Sequence, residues 1–378
     1  MNSSPETGKI KSECNPWIAS LKPYQAGKSI EEIQSSYNLT KVVKLGSNEN
    51  NYGPSPLALS ALAEAGVNIC RYPDGASLDL RATLAAFYNL QKENVAVCNG
   101  SDEALLLLAL AFLKPGDETL APVPTFSQYE CVTQIAGASF QAFMCSPHEP
   151  INISALLQKV RAKTRILFLC SPNNPTGAAY TKDQLTFILQ SVPANILVVV
   201  DEAYGEYSDE NLHPPAHTLL SQFPQLIVLH TFSKVYGLAG LRVGYALAHK
   251  DLVAGMEKVR NFNVFNINIP GQKAALAALT DRAYTKSIVE RNSSERQRVY
   301  HCLVKYGYRV LPSQANFLCV YIGSEAEVWY KSLLSQGCIT RYLASFGMPE
   351  WVRVTLGTPS ENDFFLDLAG HNVPGGLA

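Results

Sequence analysis

The stretch Leu226-Ile227-Val228-Leu229-His230-Thr231-Phe232-Ser233-Lys234-Val235-Tyr236-Gly237-Leu238-Ala239-Gly240-Leu241-Arg242-Val243-Gly244-Tyr245 decides how the rest of the chain is read. Its first four residues are a short apolar run, the pattern of a buried strand. A lysine beside a hydroxyl follows on the C-terminal side, with glycines and an arginine close behind. A lysine whose surroundings keep part of it deprotonated can form a Schiff base with an aldehyde. Arg242 offers planar donors suited to a phosphate, and the glycines allow close backbone approach or positive φ. The segment thus has the parts to hold a small molecule bearing both an aldehyde and a phosphate. By itself it reads rather as a surface Ser-Lys pair before a glycine turn, so the flanking sequence has to decide.

Working outward, the same arrangement recurs. Val95–Cys98 reads as a strand running into Asn99-Gly100-Ser101-Asp102-Glu103, which opens an apolar helix over 104–113. Arg165–Cys170 runs into Ser171-Pro172-Asn173-Asn174-Pro175-Thr176-Gly177, and a helix follows from Lys182 to about Gln190 with Thr181 and Gln184 spaced as a capping box. The β-branched run Ile196–Val200 ends in Asp201-Glu202-Ala203-Tyr204. Strands alternating with helices predict an α/β fold whose mostly parallel sheet is covered on both faces. Ligands of such sheets bind outside the carboxyl ends of the strands, where every one of these polar clusters falls. Upstream, a helix over 29–37, the loop Leu45–Pro56, a helix over 57–65, the turn Arg71–Asp74 and a helix over 78–88 are expected. Beyond about Val264 come a long charged helix (283–304), short strands at 308–311, 317–320 and 352–356, a helix at 326–336 and a last helix opened by Ser360, the order of a smaller α+β unit.

The 378 residues suit two domains, and a net charge of −1 without basic blocks argues against nucleic acid or an anionic membrane as partner. The apolar run 104–113 is about half of what a bilayer crossing needs, and the N-terminus lacks a signal-peptide core. Nine scattered cysteines, an odd number without Cys-x-x-Cys, read as reduced and mostly buried in a cytoplasmic protein. No metal site is expected: His213 and His217 have helical ligand spacing, but Pro214 and Pro215 between them forbid the helix.

The aldehyde-and-phosphate molecule that such clusters could serve is pyridoxal 5'-phosphate (PLP). Its phosphate needs N–H donors, which Gly100-Ser101-Asp102 at a helix start could supply with Ser233 and Arg242. Simple N-capping by Ser101 is compatible with that role. Its pyridine nitrogen needs a carboxylate, and Asp201 closes an apolar strand where burial without a cation is costly. Asn174 and Tyr204 could donate to the ring oxygen, and Phe126 could stack on the ring.

Asn173-Asn174-Pro175-Thr176-Gly177, Asp201-Glu202-Ala203-Tyr204 and Ser233-Lys234 with Arg242 resemble the signature of the fold-type-I PLP aminotransferases. Leu45–Asn50, Arg71–Asp74, Gly100–Glu103, Thr231–Tyr245, Pro312–Phe317 and Leu356–Pro359 resemble one subfamily of these, the histidinol-phosphate aminotransferases. The likeness runs from about Leu21 to Leu368. It implies a large PLP-binding domain over 46–264, and a small domain with an N-terminal arm over 1–45 and 265–378. It implies Lys234 as the Schiff-base lysine, Asp201 as the pyridinium partner, Asn174 and Tyr204 at the ring oxygen, Phe126 stacking, and Gly100, Ser101, Asp102, Ser233 and Arg242 at the phosphate. It further implies that Tyr72 reaches the cofactor phosphate of a neighbouring subunit in a homodimer, and that Arg353, with Tyr24, Asn48 and Arg341, binds substrate. The substrates implied are L-histidinol phosphate and 2-oxoglutarate, in a transamination of histidine biosynthesis that yields imidazole acetol phosphate and glutamate. Asn51, Ser171, the segment 261–266 and Tyr342 depart from the family pattern, the last two near the substrate. An aromatic amino-acid aminotransferase or a PLP decarboxylase of a phosphorylated amino acid would keep the same cofactor residues. A non-catalytic PLP-binding protein is the alternative from another class, and the intact Lys234, Asp201 and Tyr204 argue against it.

Overall fold

The computed structural model describes residues 14–19, 21 and 27–373. After a two-residue strand, β1 (Val43–Lys44), seven strands build the principal sheet: β2 (Val95–Cys98), β3 (Glu118–Val123), β4 (Ser139–Met144), β5 (Thr164–Cys170), β6 (Leu197–Asp201), β7 (Leu226–Thr231) and β8 (Gly244–Ala248). Their order across the sheet is β2-β8-β7-β6-β5-β3-β4. All neighbours are parallel except β8, which is antiparallel to both β2 and β7. A sheet covered on both faces buries successive residues in opposite directions. Val198, Val200, Leu226 and Val228 accordingly enter one core, with the helices Leu78–Tyr88, Lys182–Ser191 and Ile269–Thr280. Val199, Ile227 and Leu229 enter the other, with the helices Ser101–Phe112 and Lys250–Arg260. This two-sided burial is why the strands appear in the sequence as unbroken apolar runs.

A third core takes in Val43 and Leu45 and packs the helices Arg282–Lys305, Ala326–Ser335 and Pro359–His371 on a second sheet. That sheet contains β9 (Arg309–Val310), β10 (Phe317–Tyr321), β12 (Arg341–Tyr342) and β13 (Trp351–Thr355), all antiparallel, while β11 (Cys338–Ile339) pairs in parallel with β1. The last helix is capped by Thr358 in a capping box with Glu361 and carries Pro359 at its start, so it opens ahead of the expected Ser360. Strands β3, β4 and β8 and the helices at 128–135, 250–260 and 269–280 had no counterpart in the sequence reading. All nine cysteines are free, but only four are fully buried and Cys14 and Cys70 are exposed, which corrects the expectation of mostly buried thiols. Among the described residues no helix is long and apolar enough to cross a membrane.

The two sheets are latched at Gly177. Its carbonyl accepts a bond from the Gln314 N–H at 2.8 Å, its φ is +81°, and a Cβ there would lie 2.3 Å from Ser313 Oγ. Both the left-handed backbone and the lack of room require glycine. Gly177→Ala should therefore lower stability by about 2–4 kcal/mol, read as a lower urea midpoint, and a midpoint equal to wild type would show that the latch is slack.

Candidate active site

The polar strand ends converge on a cavity of about 210 Å³ between the principal sheet and β12–β13. Lys234, Asp201, Tyr204, Asn174, Ser233, Arg242, Ser101, Asp102, Phe126, Asn48, Arg341 and Arg353 all line it. Gly100 adjoins it through Arg242. Tyr72 stands apart, 81% exposed and stacked on Phe265 at 4.9 Å. Tyr24 lies outside the described residues.

At the deep end, β6 delivers Asp201 almost fully buried. Its carboxylate accepts the Tyr129 hydroxyl at 2.8 Å and the Ala203 N–H at 3.1 Å. Burial outweighs these bonds and lifts the Asp201 pKa to about 6. Tyr129 has no local signal in the sequence: it lies in the first turn of the helix Gln128–Ile135, whose start nothing in the sequence reading marks. Lys234 donates to the Ser47 carbonyl at 3.3 Å and lies 5.5 Å from the centre of the Tyr204 ring. Burial, and then the positive Arg353, hold its pKa down at about 8. The Tyr204 hydroxyl accepts from Asn48 Nδ2 at 2.9 Å, and its ring meets Phe317 edge-on. Burial pushes that phenol upward, so it stays a proton donor at neutral pH.

At the other end, the helix Ser101–Phe112 starts at the cavity. Gly100, at φ +81°, occupies its cap without a side-chain bond, so Ser101 is the first helical residue and does not act as the N-cap. A Cβ on Gly100 would lie 2.6 Å from Arg242 Nη2, so only glycine lets the guanidinium rest against this turn. Arg242 also donates to Ser233 Oγ at 3.2 Å and faces Asp102 at 3.6 Å.

The mouth is built by the loop after β1. Asn48 N–H donates to Thr355 Oγ1 at 2.9 Å, and Thr355 Oγ1 donates back to Asn48 Oδ1 at 3.0 Å. Arg353 donates to the Gly46 carbonyl at 2.8 Å and to Asn174 Oδ1, with Phe317 and Phe346 near its face. The departures from the family pattern have local roles. Asn51 donates to Glu361 at 3.0 Å, Ser171 Oγ accepts from Tyr180 N–H at 3.1 Å, and Asn266 donates to Glu103. Tyr342 stacks on Tyr330 at 6.1 Å and is not among the residues lining the cavity.

These residues fit PLP. A buried carboxylate with two donors among the described residues can accept a ring N–H, a lysine with a depressed pKa is available to an aldehyde, and a helix start with an arginine and serines suits a phosphate. Fold and cleft together define a PLP-dependent enzyme of fold type I. The chain belongs to the class I and II aminotransferase family, whose model matches residues 40–367. It is 40% identical over 349 residues to the histidinol-phosphate aminotransferase of Bacillus subtilis, covering 92% of this chain and 96% of the relative. It is 38% identical over 351 residues to histidinol-phosphate aminotransferase 2 of Carboxydothermus hydrogenoformans, covering 93% and 96%. The crystal structure of histidinol-phosphate aminotransferase from Sinorhizobium meliloti, in complex with pyridoxal-5'-phosphate, superposes with a TM-score of 0.86 at 26% identity and 98% coverage of both chains. Aspartate aminotransferase from Thermus thermophilus with maleate, 21% identical with a TM-score of 0.82 over 95% of this chain and 99% of that one, shares the fold.

The depressed Lys234 gives a stability test on cofactor-free protein. With its folded pKa near 8 and an ordinary value of 10.5, the unfolded chain holds this proton more tightly. The lysine therefore opposes folding at pH 7, and that penalty is relieved as pH rises from about 8 toward 10.5. Lys234→Met should melt higher than wild type at pH 7, with the gap narrowing by pH 10. Equal melting temperatures at pH 7 would contradict the depressed value.

Proposed function

We propose that this transaminase passes the amino group of L-histidinol phosphate to 2-oxoglutarate, giving imidazole acetol phosphate and glutamate. The observation that carries the reading is the pair Arg341 and Arg353 lining one cleft with Lys234. Guanidinium groups bind both carboxylate and phosphate through paired oxygens, so the same arginines can serve a phosphorylated donor and a dicarboxylate acceptor in turn. The names of the relatives at 38–40% identity point the same way. Tyr342 turns toward Tyr330, which counts against a pocket shaped by that ring for aromatic donors.

Bound PLP supplies an aldehyde for the incoming amine and a protonated ring that takes up the electron pair left at Cα. Asp201 holds the proton on the ring nitrogen, and its burial makes that ionic bond strong. Asn174 and Tyr204 would donate to the ring oxygen, and Phe126 would stack. Gly100, Ser101, Asp102, Ser233 and Arg242 form the phosphate end. Lys234 would serve as the base for the Cα proton, and a pKa near 8 leaves a usable fraction of neutral amine.

The unit over 46–264 carries the cofactor and the remainder closes over it. Tyr72 crosses to the phosphate site of a second copy. Its 81% exposure, stacked on the exposed ring of Phe265, supports a homodimer through this face. Nine free thiols support a reducing compartment, the cytoplasm.

Substrate profile, covalent labelling and assembly test this reading. Mixing holoenzyme with candidate amines should convert the aldehyde absorbance to the amine form fastest with L-histidinol phosphate. Dephosphorylated histidinol should lose about a thousandfold in kcat/KM, and Arg353→Ala should penalise histidinol phosphate and 2-oxoglutarate together. Phenylalanine or tyrosine outperforming histidinol phosphate would transfer the assignment to aromatic substrates. Borohydride should fix the cofactor to the peptide containing Lys234, and Lys234→Ala should abolish that labelling and lower the rate by several powers of ten. Labelling at another lysine would remove it from its role. Tyr72→Phe should weaken PLP binding and recover in mixed dimers, whereas a fully active monomer on sedimentation would contradict the shared site.

A further inference from the structure

Tyr129 touches both Asp201 and Phe126 but is not itself among the residues lining the cleft. It is fully buried, in the core that holds Val199 and Leu229, on the helix Gln128–Ile135. That helix is pinned to the sheet. The Thr133 hydroxyl donates to the Tyr129 carbonyl at 2.7 Å and lies 2.8 Å from the Thr119 hydroxyl of β3. The Tyr129 ring stacks flat on Phe168 of β5, at 4.9 Å and 5°, and meets Phe126 edge-on at 5.8 Å and 84°. So held, its hydroxyl donates to Asp201 Oδ2 at 2.8 Å.

Each oxygen of the carboxylate thus has a donor, the Ala203 N–H on Oδ1 and the Tyr129 O–H on Oδ2. A carboxylate oxygen has two acceptor sites, so either can still receive a ring N–H. Bound PLP brings a pyridine nitrogen that competes with Asp201 for one proton. Desolvation favours the uncharged pair, with the proton on the carboxyl and the ring neutral. Donors to the carboxylate favour the charged pair, because they stabilise the anion and not the acid. Burial drives the Tyr129 phenol well above its ordinary range, so it keeps the proton it donates. The Asp201 pKa, about 6, lies close to neutrality, and losing one donor to an ionised group raises proton affinity by about ten- to a hundredfold. The hydroxyl is therefore enough to decide where the proton sits.

We propose that Tyr129 is a positioning residue for the cofactor's ring proton: by donating to Asp201 Oδ2 it keeps the carboxylate ionised and the proton on the ring nitrogen. The inference rests on the transaminase reading only through PLP, and its test separates the two. Tyr129→Phe keeps both ring contacts and removes the hydroxyl alone. In cofactor-free protein the Asp201 carboxyl, identified by infrared difference against Asp201→Asn, should titrate about one unit or more higher than in wild type. In holoenzyme prepared with PLP carrying nitrogen-15 in its ring, the wild-type resonance at pH 7 should lie in the pyridinium range. In Tyr129→Phe it should move toward the range of neutral pyridine. The kcat of this variant should fall by about tenfold or more with little change in KM for the donor. An unchanged carboxyl midpoint, an unmoved resonance or a wild-type kcat each overturns the proposal. Should Tyr129→Phe give no folded protein, 3-fluorotyrosine at position 129 preserves the packing and is a stronger donor. The carboxyl should then titrate below wild type, and a midpoint at or above wild type overturns the proposal equally. Wild-type protein that binds PLP without aminotransferase turnover would overturn the functional reading instead, while midpoint and resonance would still decide the role of Tyr129.

Discussion

The burial of one carboxylate, Asp201, at the end of an apolar strand is the constraint on which the rest of this structure depends. Removing a carboxylate from water costs several kcal/mol even after relaxation. The protein returns part of that through the Tyr129 hydroxyl and the Ala203 N–H, and the pKa of about 6 shows that the return is incomplete. A cationic ring nitrogen would complete it. The parallel sheet provides the setting: with both faces buried, polar side chains collect where the strands stop, and there the backbone of β6 points Asp201 into the cleft.

Lys234 poses the complementary problem. Its amine is buried near Arg353, so two positive groups share one desolvated space. Arg353 is held by Asn174, by the Gly46 carbonyl and by aromatic faces. It can therefore stay charged while the lysine yields, a division of labour that guanidinium and ammonium chemistry makes natural.

Much of this was legible in the sequence because the strands nearest the chemistry are buried on both sides. Val95–Cys98, Arg165–Cys170, Ile196–Val200 and Leu226–Leu229 stand out as apolar runs, and each ends in a loop-forming cluster. The strands that escaped notice are the compositionally ambiguous ones. β3 contains Pro122, β4 is a half-exposed edge, and β8 is made largely of glycine and alanine, which carry little strand preference. The capping box at Thr181 was legible because it is local; Gly100 in place of Ser101 as the cap was not, because the reason lies in Arg242 packing against the turn. Tyr129 and the Asn48–Thr355 pair were invisible for the same reason, since nothing local in the sequence marks partners so far apart.

That distance has a consequence for how the enzyme comes into being. Asn48 and Gly46 bond to Thr355 and Arg353 across 307 residues, Lys234 reaches Ser47 across 187, and Arg353 reaches Asn174 across 179. Closing loops of this size adds only modestly to the entropic cost, because the cost grows logarithmically with length. Its effect on order is larger, since long-range contacts are made late. The principal sheet, complete by Ala248, can form on a growing chain well before Arg353 and Thr355 have been synthesised. Asp201 and Lys234 are then in place beside an open cleft, and the wall that shields them from water arrives only with β12 and β13, about a hundred residues later.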